Sequence, residues 1–422
     1  MVRKLTPREL RQRRATIKFG KIFTALSVGL WFLSSIPYIF IRVGTFLDNK
    51  GLLGEAPWTI KSKEMCGEQR EKNAEGRVVV VTGANSGIGY EAAKTLALLN
   101  AEKVVLGCRS KGKCEYSKAM IDAERLELCF KGQEKDFTSN VIDPSLSLDL
   151  GDLDAVKKWA ESLSAQEGVD YVTDLVLNAG IMSTPLEPRN PGTGLENQLH
   201  TNHVAHFYLT SLMLPLLESV SALEGAVKDS KVVTIASLAA QSPFSYSLSD
   251  INFTSGRSFS SLTAYSQSKR ANLLFAQHLH STLSPKGIKS LAAHPGYTRT
   301  NLFHNNWHFL PKQLDFIKDI ASENTLFSMS SYDGAMMTVR SILDVNIPSG
   351  SYVTPAMYAT GTPVVSRPKV SKWWNPGYKD GVIMYPFMEN VWSWIWGGFS
   401  FKDEDVKGLN EFTEKVTGVK IE

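Results

Sequence analysis

Residues 77–94 read RVVVVTGANSGIGYEAAK and place a glycine-rich turn between two regular elements. The valines are typical of a buried strand, and the alanine-rich segment after Gly89 is typical of a helix. Between them, Gly83, Gly87 and Gly89 form a GxxxGxG turn that favours neither element. Such a turn between a strand and a helix lets the phosphates of a nucleotide approach the free amides of the helix N-terminus. The predicted phosphate-binding residues of this turn are Gly83, Asn85, Ser86, Gly87, Ile88 and Gly89. The alternative is a glycine-rich turn that holds no ligand.

Short β-branched runs alternate with longer amphipathic stretches over residues 77–355. This alternation predicts an α/β fold, a Rossmann-type doubly wound parallel sheet of about seven strands with helices on both faces. Ligands of such sheets bind at the carboxyl ends of the strands. The predicted strands are Val78–Val81, Lys103–Leu106, Ser145–Leu148, Thr173–Leu177, Lys231–Ala236, Ile288–Ala293 and Ser351–Thr354. The predicted helices include Tyr90–Asn100, Leu153–Ala165, Leu199–Leu217 and Ala264–Leu283.

The N-terminal segments differ from this pattern. Residues 1–21 hold eight Lys or Arg against the single acid Glu9, and residues 22–41 contain no charge at all. Twenty residues at about 1.5 Å each span the roughly 30 Å hydrocarbon core of a bilayer. We therefore predict a basic N-terminal segment at 1–21, followed by a transmembrane or membrane-embedded anchor at 22–41.

Other interpretations of this anchor segment stay open. A cleavable signal peptide has a shorter apolar stretch and a small-residue cleavage site, which residues 22–41 lack. An Arg-rich, acid-poor start is also typical of mitochondrial targeting, and Pro37 could bend the run into a shallow hairpin. A single span and a hairpin would place the rest of the chain on different sides of the membrane. The sequence therefore leaves open which side the predicted catalytic domain faces. One spanning segment argues against a transporter or pore.

The remaining boundaries follow from composition. Residues 48–76 are mixed and glycine-containing and are predicted to be a linker, and residues 77–355 form the predicted catalytic domain. The C-terminal extension, 356–422, breaks the alternation and becomes aromatic, most of all at 384–399. This extension is either an extra piece packed on the domain or a second element that faces the membrane or covers the substrate.

The overall composition limits the classes of partner. A net charge of +4 is small, and because residues 1–21 carry +7, the basic excess is local and gives no argument for nucleic acid. The cysteines form no CxxC pair and no metal-ligand spacing, so we expect reduced or buried thiols and no metal site. These cysteines are Cys66, Cys108, Cys114 and Cys129.

Arg109 stands twenty residues after Gly89, at the end of the second predicted strand. An NAD site usually offers Asp or Glu at this distance, to accept a hydrogen bond from the ribose 2′-hydroxyl. A guanidinium there instead favours a 2′-phosphate. Arg109 therefore indicates NADP(H) as the cofactor, the alternative being a solvated arginine.

Tyr265 and Lys269 occur in the sequence YSQSK at the start of a predicted helix. Their i, i+4 spacing places both side chains on one face. An ammonium near a phenol stabilises the phenolate, so we expect the pKa of Tyr265 to be lowered toward neutrality. Such a tyrosine can exchange a proton with an oxygen whose carbon undergoes hydride transfer.

Four motifs together resemble the classical short-chain dehydrogenase/reductases. They are TGANSGIG (82–89), NAG (178–180), YSQSK (265–269) and HPG (294–296), in the order that the family uses. The resemblance covers roughly residues 77–354. It implies that Ser237 polarises a carbonyl oxygen and that Tyr265 is the acid/base. It also implies that Lys269 stabilises the phenolate and binds the nicotinamide ribose. Asn202 would hold a water molecule linked to Lys269. Asn202 lies in HTNHVAHF (200–207) and Ser237 in TIASLAA (234–240), which are similar to family motifs.

The same resemblance implies further cofactor contacts. Asp149 would meet the adenine, Asn178 would line the cofactor face of the fourth strand, and Thr300 would meet the nicotinamide carboxamide. The full set implied by these motifs is Asp149, Asn178, Ala179, Gly180, Tyr265, Lys269, Pro295, Gly296, Thr298 and Thr300.

Smaller features are similar to the retinol dehydrogenase-like branch of that family. They are CRSK (108–111), INF (251–253), DGAMM (333–337) and SGSYV (349–353). That branch is commonly membrane-anchored and NADP-preferring and acts on retinoids, sterols or other lipophilic alcohols and carbonyls. The resemblance thus implies a membrane oxidoreductase of the endoplasmic reticulum or lipid droplet, with the mitochondrion as an alternative.

Two departures leave the substrate open. The stretch from Cys108 to Asp149 is longer than usual in the family, and the C-terminal extension has no counterpart in it. A sterol or ketosteroid reductase, or a catalytically silent nucleotide-binding membrane scaffold, are the alternative functions. The oligomeric state also stays open, because family members form dimers or tetramers but anchored members vary.

Overall fold

The structure is a computed structural model, and its described part belongs to the unit Ala56–Glu422. The described residues are 60, 74–131, 134–144, 146–222, 229–241, 246–298, 329–355, 363–366 and 402–422. The segments predicted at 1–21 and 22–41, most of the linker 48–76, the aromatic stretch 384–399 and Thr300 lie outside these ranges. Within them, no helix is both long enough and apolar enough to cross a membrane.

Eight strands form a single sheet at the centre of the described chain. In chain order they are β1 (Val78–Thr82), β2 (Lys103–Gly107), β3 (Val141–Ile142), β4 (Asp174–Leu177), β5 (Ser230–Ile235), β6 (Ile288–Ala293), β7 (Tyr352–Pro355) and β8 (Pro363–Ser366). Their order across the sheet is β3-β2-β1-β4-β5-β6-β7-β8. The first seven pair in parallel and β8 is antiparallel to β7. The predicted doubly wound parallel sheet is confirmed, and β8 is an edge strand that the sequence pattern did not predict.

Helices cover both faces of the sheet. They are α1 (Gly87–Leu98), α2 (Lys111–Cys129), α3 (Leu153–Ser164), α4 (Asn197–Leu199, a π-turn His200–Val204, and Ala205–Glu218), α5 (Ser261–Leu283), α6 (Ser331–Leu343) and α7 (Asp403–Thr417). Helices α1 and α6 pack on one face, and α3, α4 and α5 pack on the other. Helix α7 lies against α5.

The valines of β1 explain why the sheet is covered on both sides. Val79 and Val81 belong to the core cluster beneath α1 and α6, whereas Val78 and Val80 belong to the cluster beneath α3 and α4. Successive side chains of a strand point to opposite faces, so four consecutive valines fill two cores at once. An uninterrupted apolar run is therefore the signature of a strand in the middle of this sheet.

One predicted strand was wrong. Ser145–Leu148 is not a strand in the described residues, and the third strand is instead Val141–Ile142, paired with β2 through Val104 and Val141. The strand is only two residues long, because the chain then turns toward the carboxyl end of β2, where the Leu148 amide donates to the Cys108 carbonyl at 2.8 Å. Such a short pairing leaves no periodic signal in the sequence.

Candidate active site

The glycine turn after β1 packs tightly against the end of β4. Gly83 has a φ of +68°, and its amide donates to the Gly107 carbonyl at 2.7 Å. A Cβ on Gly83 would lie 3.0 Å from Ala179 Cα, and a Cβ on Gly89 would lie 2.4 Å from Asn178 Nδ2. Side chains at these two positions would displace neighbouring groups, so glycine is required where the turn meets the NAG segment.

The N-terminus of α1 is open to an anion. The helix begins at Gly87, and the preceding Ser86 is extended and exposed; in the described chain its side chain caps no helical amide. The first turn also carries no acidic residue. Uncapped amides at the positive end of the helix dipole are what a pyrophosphate needs. Asn85 and Ile88 are half-buried beside this cradle, so the chain fits the phosphate end of a dinucleotide cofactor.

Arg109 and Asp149 flank the next part of the same edge. Arg109 lies two residues beyond β2 with its side chain exposed, and Asp149 is half-buried. The 2.8 Å hydrogen bond from the Leu148 amide to the Cys108 carbonyl brings Asp149 beside the turn that carries Arg109. The two residues are therefore placed where the adenosine end of a cofactor would lie in such a sheet.

The cysteines around Arg109 differ from expectation. Cys108 and Cys114 form a disulfide with a Cα–Cα distance of 5.8 Å, and Cys129 is also disulfide-bonded. Cys108 and Cys114 are buried, but the expectation of reduced or buried thiols was wrong in that these cysteines are not free thiols. Spacing along the chain could not show that the end of β2 and the first turn of α2 meet at disulfide distance.

The catalytic candidates lie at the carboxyl end of β5 and on α5. Ser237 follows β5 by two residues and forms a hydrogen bond with the Tyr265 phenol. Lys269 Nζ lies 5.9 Å from the centroid of the Tyr265 ring and donates to the Ile235 carbonyl at 3.0 Å. Tyr265 and Lys269 are buried, with 4% and 3% of their surface exposed. One helical turn of α5 and the end of one strand thus present a hydroxyl, a phenol and an ammonium together.

Asn202 is held in a π-turn of α4. Its Oδ1 accepts from the Ile181 amide at 2.8 Å, and its Nδ2 donates to the Ile181 carbonyl at 2.9 Å and to Ser268 Oγ at 2.9 Å. A Cβ on Gly180 would lie 3.3 Å from Asn202 Oδ1 and 3.4 Å from Lys269 Nζ. Asn202 and Lys269 therefore converge on the NAG segment, and π-turns occur often at functional sites. The structure brings together all four residues of the predicted tetrad.

The pKa of the Tyr265 phenol differs from the sequence prediction. Burial raises the pKa of Tyr265 to about 12, although its hydrogen bond to Ser237 lowers it. Burial also lowers the pKa of Lys269 to about 8. The expected lowering of the Tyr265 pKa by Lys269 is contradicted, because desolvation of the phenolate dominates. The phenol is consequently a protonated acid at neutral pH.

The segment after β6 lies at the carboxyl edge of the sheet. Gly296 has a φ of +73° and its amide donates to His294 Nδ1 at 3.3 Å. The Thr298 hydroxyl is buried and donates to the Pro295 carbonyl at 2.6 Å. This turn follows β6 at the carboxyl edge of the sheet, and Pro295 and Gly296, the residues predicted to contact the cofactor, lie in it.

Two residues that hold the site together were not predicted from the sequence. Thr82 and His206, both fully buried, meet at 2.9 Å between Thr82 Oγ1 and His206 Nε2. Their contact links the glycine turn to the helix that carries Asn202. The residues stand inside quoted motifs, TGANSGIG and HTNHVAHF, so their position in those motifs was the available signal.

Comparisons with known proteins agree with this geometry. The sequence profile of the short chain dehydrogenase family matches residues 77–249. The chain is 34% identical over 244 residues to the WW domain-containing oxidoreductase of Homo sapiens, covering 55% of this chain and 51% of that protein. It is 33% identical to retinol dehydrogenase 14 of Mus musculus (54% of this chain, 63% of that protein) and 33% identical to retinol dehydrogenase 12 of Homo sapiens (55% and 64%). The matches thus span only about half to two thirds of the length of these relatives.

A solved structure extends the comparison to the fold. An uncharacterised protein from Mycobacterium paratuberculosis superimposes with a TM-score of 0.54 at 28% sequence identity, covering 83% of this chain and 96% of that one. The family match, the relatives and the converging tetrad are consistent with one another. Residues 77–249 match the short-chain dehydrogenase family, and the chain is similar to retinol dehydrogenases over about 54–55% of its length.

Proposed function

We propose that this chain is a membrane-anchored, NADP(H)-dependent oxidoreductase that interconverts a carbonyl and an alcohol on a lipophilic substrate. The observation that carries the proposal is the convergence of four side chains beside the glycine cradle. These are Asn202, Ser237, Tyr265 and Lys269, held by the contacts given above. A silent scaffold has no need of a buried ammonium beside a buried phenol, so this convergence favours an enzyme.

The chain supplies the acid and the polarising group. In carbonyl reduction, the Ser237 hydroxyl donates a hydrogen bond to the substrate oxygen, and the Tyr265 phenol gives that oxygen its proton. When bound, the nicotinamide supplies the hydride to the carbonyl carbon. The Lys269 ammonium stabilises the phenolate that remains, and Asn202 fixes the Ile181 segment next to it. Burial raises the pKa of Tyr265 to about 12, so the phenol holds its proton at neutral pH and can act as the acid in carbonyl reduction.

The cofactor preference rests on Arg109. Its exposed guanidinium, just beyond β2, suits a ribose 2′-phosphate better than a 2′-hydroxyl. NADP(H) is held largely reduced in cells, so carbonyl reduction is the proposed direction. The glycine cradle and the open N-terminus of α1 would bind the pyrophosphate of either cofactor.

A lipophilic substrate is supported by the relatives named retinol dehydrogenase. The substrate class is accordingly a retinoid-like, sterol or long-chain aldehyde, and a ketosteroid reductase is the second candidate. The uncharged run 22–41 and the basic residues 1–21 support attachment to the endoplasmic reticulum or lipid droplet. Extraction of the expressed chain from membranes with alkaline carbonate tests this attachment, since an embedded segment stays in the pellet.

The decisive experiment is turnover by the purified full-length chain. NADPH or NADH is mixed with all-trans-retinal, a ketosteroid or a long-chain aldehyde, and oxidation of the cofactor is followed by absorbance. We expect NADPH oxidation that depends on one of these substrates and is lost in Tyr265→Phe, while NADPH binding persists in that variant. Tight NADPH binding without turnover of any substrate would instead support the scaffold.

A further inference from the structure

Helix α7, Asp403–Thr417, lies against the elements that carry the candidate tetrad. It contacts α5, the π-turn His200–Val204 and the 3-10 turn Leu248–Asp250. Two of its residues face this surface one turn apart, with Leu409 at 2% and Thr413 at 0% exposure. The helix thus touches both sides of the site, although no motif links it to catalysis.

Thr413 fixes the ring that neighbours Asn202. Thr413 Oγ1 lies 3.0 Å from His203 Nε2, and the same hydroxyl donates its one proton to the Leu409 carbonyl at 2.8 Å. The hydroxyl must therefore accept from the ring, so His203 carries its proton on Nε2. His203 is 1% exposed and directly follows Asn202 in the π-turn. A buried hydrogen bond at this position holds the backbone that orients Asn202.

Gly408 makes room for the loop between the two catalytic hydroxyls. A Cβ on Gly408 would lie 2.3 Å from Leu248 Cδ2. Leu248 begins the turn that ends at Asp250, whose carboxylate accepts from the amides of Thr254 at 2.6 Å and Ser255 at 2.8 Å. Leu248 therefore lies at the start of a hydrogen-bonded loop, two residues before Asp250.

The far end of this loop returns to the catalytic helix. The Ile251 carbonyl accepts from Gln267 Nε2 at 2.6 Å, and Gln267 lies two residues after Tyr265 on α5. Residues 238–264 connect Ser237 to Tyr265, so a helix seated on Leu248 acts on the segment that joins these two groups. Tyr246 and Leu248 pack in one apolar cluster with Val406 and Phe412, which extends the contact.

We propose that helix α7 is a positioning element of the active site: Thr413 steadies the π-turn that carries Asn202, and Gly408 seats the loop that joins Ser237 to Tyr265. The inference rests on the proposed function in that it takes those residues as catalytic. Helix α7 thereby makes part of the C-terminal extension a component of the site. Thr413 and Gly408 act through their neighbours and touch no reacting atom.

The first test compares Thr413→Val with Thr417→Val in the full-length chain. Thr417 Oγ1 also donates to a carbonyl one turn earlier, that of Thr413, at 2.8 Å, so each variant removes one such bond and only Thr413→Val removes the contact with His203. Amide hydrogen exchange over residues 200–206 is measured together with NADPH-dependent turnover of all-trans-retinal. We expect Thr413→Val to exchange several-fold faster there and to lower kcat roughly five-fold, as for one lost hydrogen bond, with the KM for NADPH unchanged.

The controls separate positioning from general stability. Thr417→Val is expected to match the wild type in both measurements, and Thr413→Ser is expected to restore them. Equal exchange over residues 200–206 in Thr413→Val and Thr417→Val would overturn the role of Thr413. If the wild-type chain does not reduce retinal, the proposed substrate fails, but the exchange measurement still decides the coupling.

The second test adds a side chain at Gly408. Gly408→Ala forces Leu248 aside, so we expect a several-fold higher KM for retinal and faster exchange over residues 246–257. The double variant Gly408→Ala, Leu248→Ala lacks the clashing atom. We expect its amide exchange over residues 246–257 to match that of Leu248→Ala alone. An unchanged KM and unchanged exchange in Gly408→Ala would show that the loop does not depend on α7.

Discussion

Thr82 Oγ1 and His206 Nε2 lie 2.9 Å apart, and through this contact three parts of the site share one hydroxyl. Thr82 Oγ1 also accepts from the amides of Asn178 and Ala179, each at 2.9 Å. His206 Nδ1 lies 3.0 Å from the Asn202 carbonyl, to which it must donate. Burial lowers the pKa of His206 to about 4, so the ring is neutral and its Nε2 accepts the Thr82 proton. The glycine turn, the NAG segment and the Asn202 turn are thus held by one hydrogen-bonded group.

Thr82→Val should therefore destabilise the chain more than the loss of one methyl-sized group would. The variant leaves two buried amides without their acceptor and the His206 ring without its donor, which costs roughly 2–4 kcal/mol of unfolding free energy. Urea denaturation of the full-length chain measures this loss. Thr82→Ser keeps the hydroxyl and should stay within about 1 kcal/mol of the wild type. Equal stability of the Val and Ser variants would mean that the hydroxyl contributes nothing.

The sequence predicted the elements whose signals are local. Strand β1 and helix α5 follow from a run of valines and from the amphipathic stretch around YSQSK, and both were found within a few residues of their predicted bounds. The tetrad was predicted from the resemblance to the short-chain dehydrogenase/reductases, and the glycine cradle from its position between a strand and a helix. Their convergence required only the rule that functional residues collect at the carboxyl edge of a parallel sheet.

Features that depend on contacts between distant residues could not be predicted. The two-residue strand β3 exists because β2 offers it a partner, and the Cys108–Cys114 disulfide exists because β2 and α2 meet. Burial dominates the pKa of Tyr265, and burial is a property of the packed chain. Helix α7 did leave a signal, with Asp403, Glu404 and Asp405 in its first turn and Gly418 after its end.

Gly89→Ala and Gly112→Ala should have opposite effects on stability. A Cβ on Gly89 meets Asn178 Nδ2 at 2.4 Å and the Gly83 carbonyl oxygen at 2.5 Å, whereas a Cβ on Gly112 meets nothing within 4 Å. Gly89→Ala should lower the melting temperature and weaken NADPH binding. Gly112→Ala, near the start of α2, should raise stability by up to about 1 kcal/mol. Thermal unfolding with and without NADPH measures both, and a neutral Gly89→Ala would contradict the close approach of the NAG segment.

Arg109→Ala should weaken NADPH binding and leave NADH binding nearly unchanged. A charge-assisted contact to a 2′-phosphate is worth about 1.5–3 kcal/mol, or roughly ten-fold or more in affinity. Fluorescence titration of the full-length chain with each cofactor gives the two dissociation constants. Lys407→Ala removes the same charge from an exposed position on α7 and should change neither. Parallel losses for NADPH and NADH in Arg109→Ala would show that this residue does not select the cofactor.

The rate of carbonyl reduction should fall as the pH rises through about 8. Burial lowers the pKa of Lys269 to about 8, so the ammonium that stabilises the Tyr265 phenolate is lost above that pH. The pH dependence of kcat/KM for retinal between pH 6 and 10 tests this, because kcat/KM reports groups of the free enzyme. Lys269→Arg keeps its charge over this range and should lose the descending limb, whatever its absolute rate. A wild-type profile that stays flat to pH 10 would exclude Lys269 as the titrating group.

Acid should destabilise the chain through three buried histidines on α4. Burial lowers the pKa of His203 to about 3 and those of His200 and His206 to about 4, whereas a histidine in the unfolded chain titrates near 6.5. Below pH 6.5 the unfolded state therefore binds protons that the folded state does not. The stability that these groups contribute is complete above pH 6.5 and is lost as the pH falls toward 4, because folding keeps the rings neutral.

The expected slope is up to about 1.4 kcal/mol per pH unit for each histidine, or roughly 4 kcal/mol per unit for the three together. Urea denaturation at several pH values between 7.5 and 5 measures the slope. His203→Phe removes one titrating ring and should reduce the slope by about a third. A free energy of unfolding that does not change over this interval would mean that the rings take up their protons without unfolding. In that case His206 could not remain the neutral ring whose Nε2 accepts the Thr82 proton.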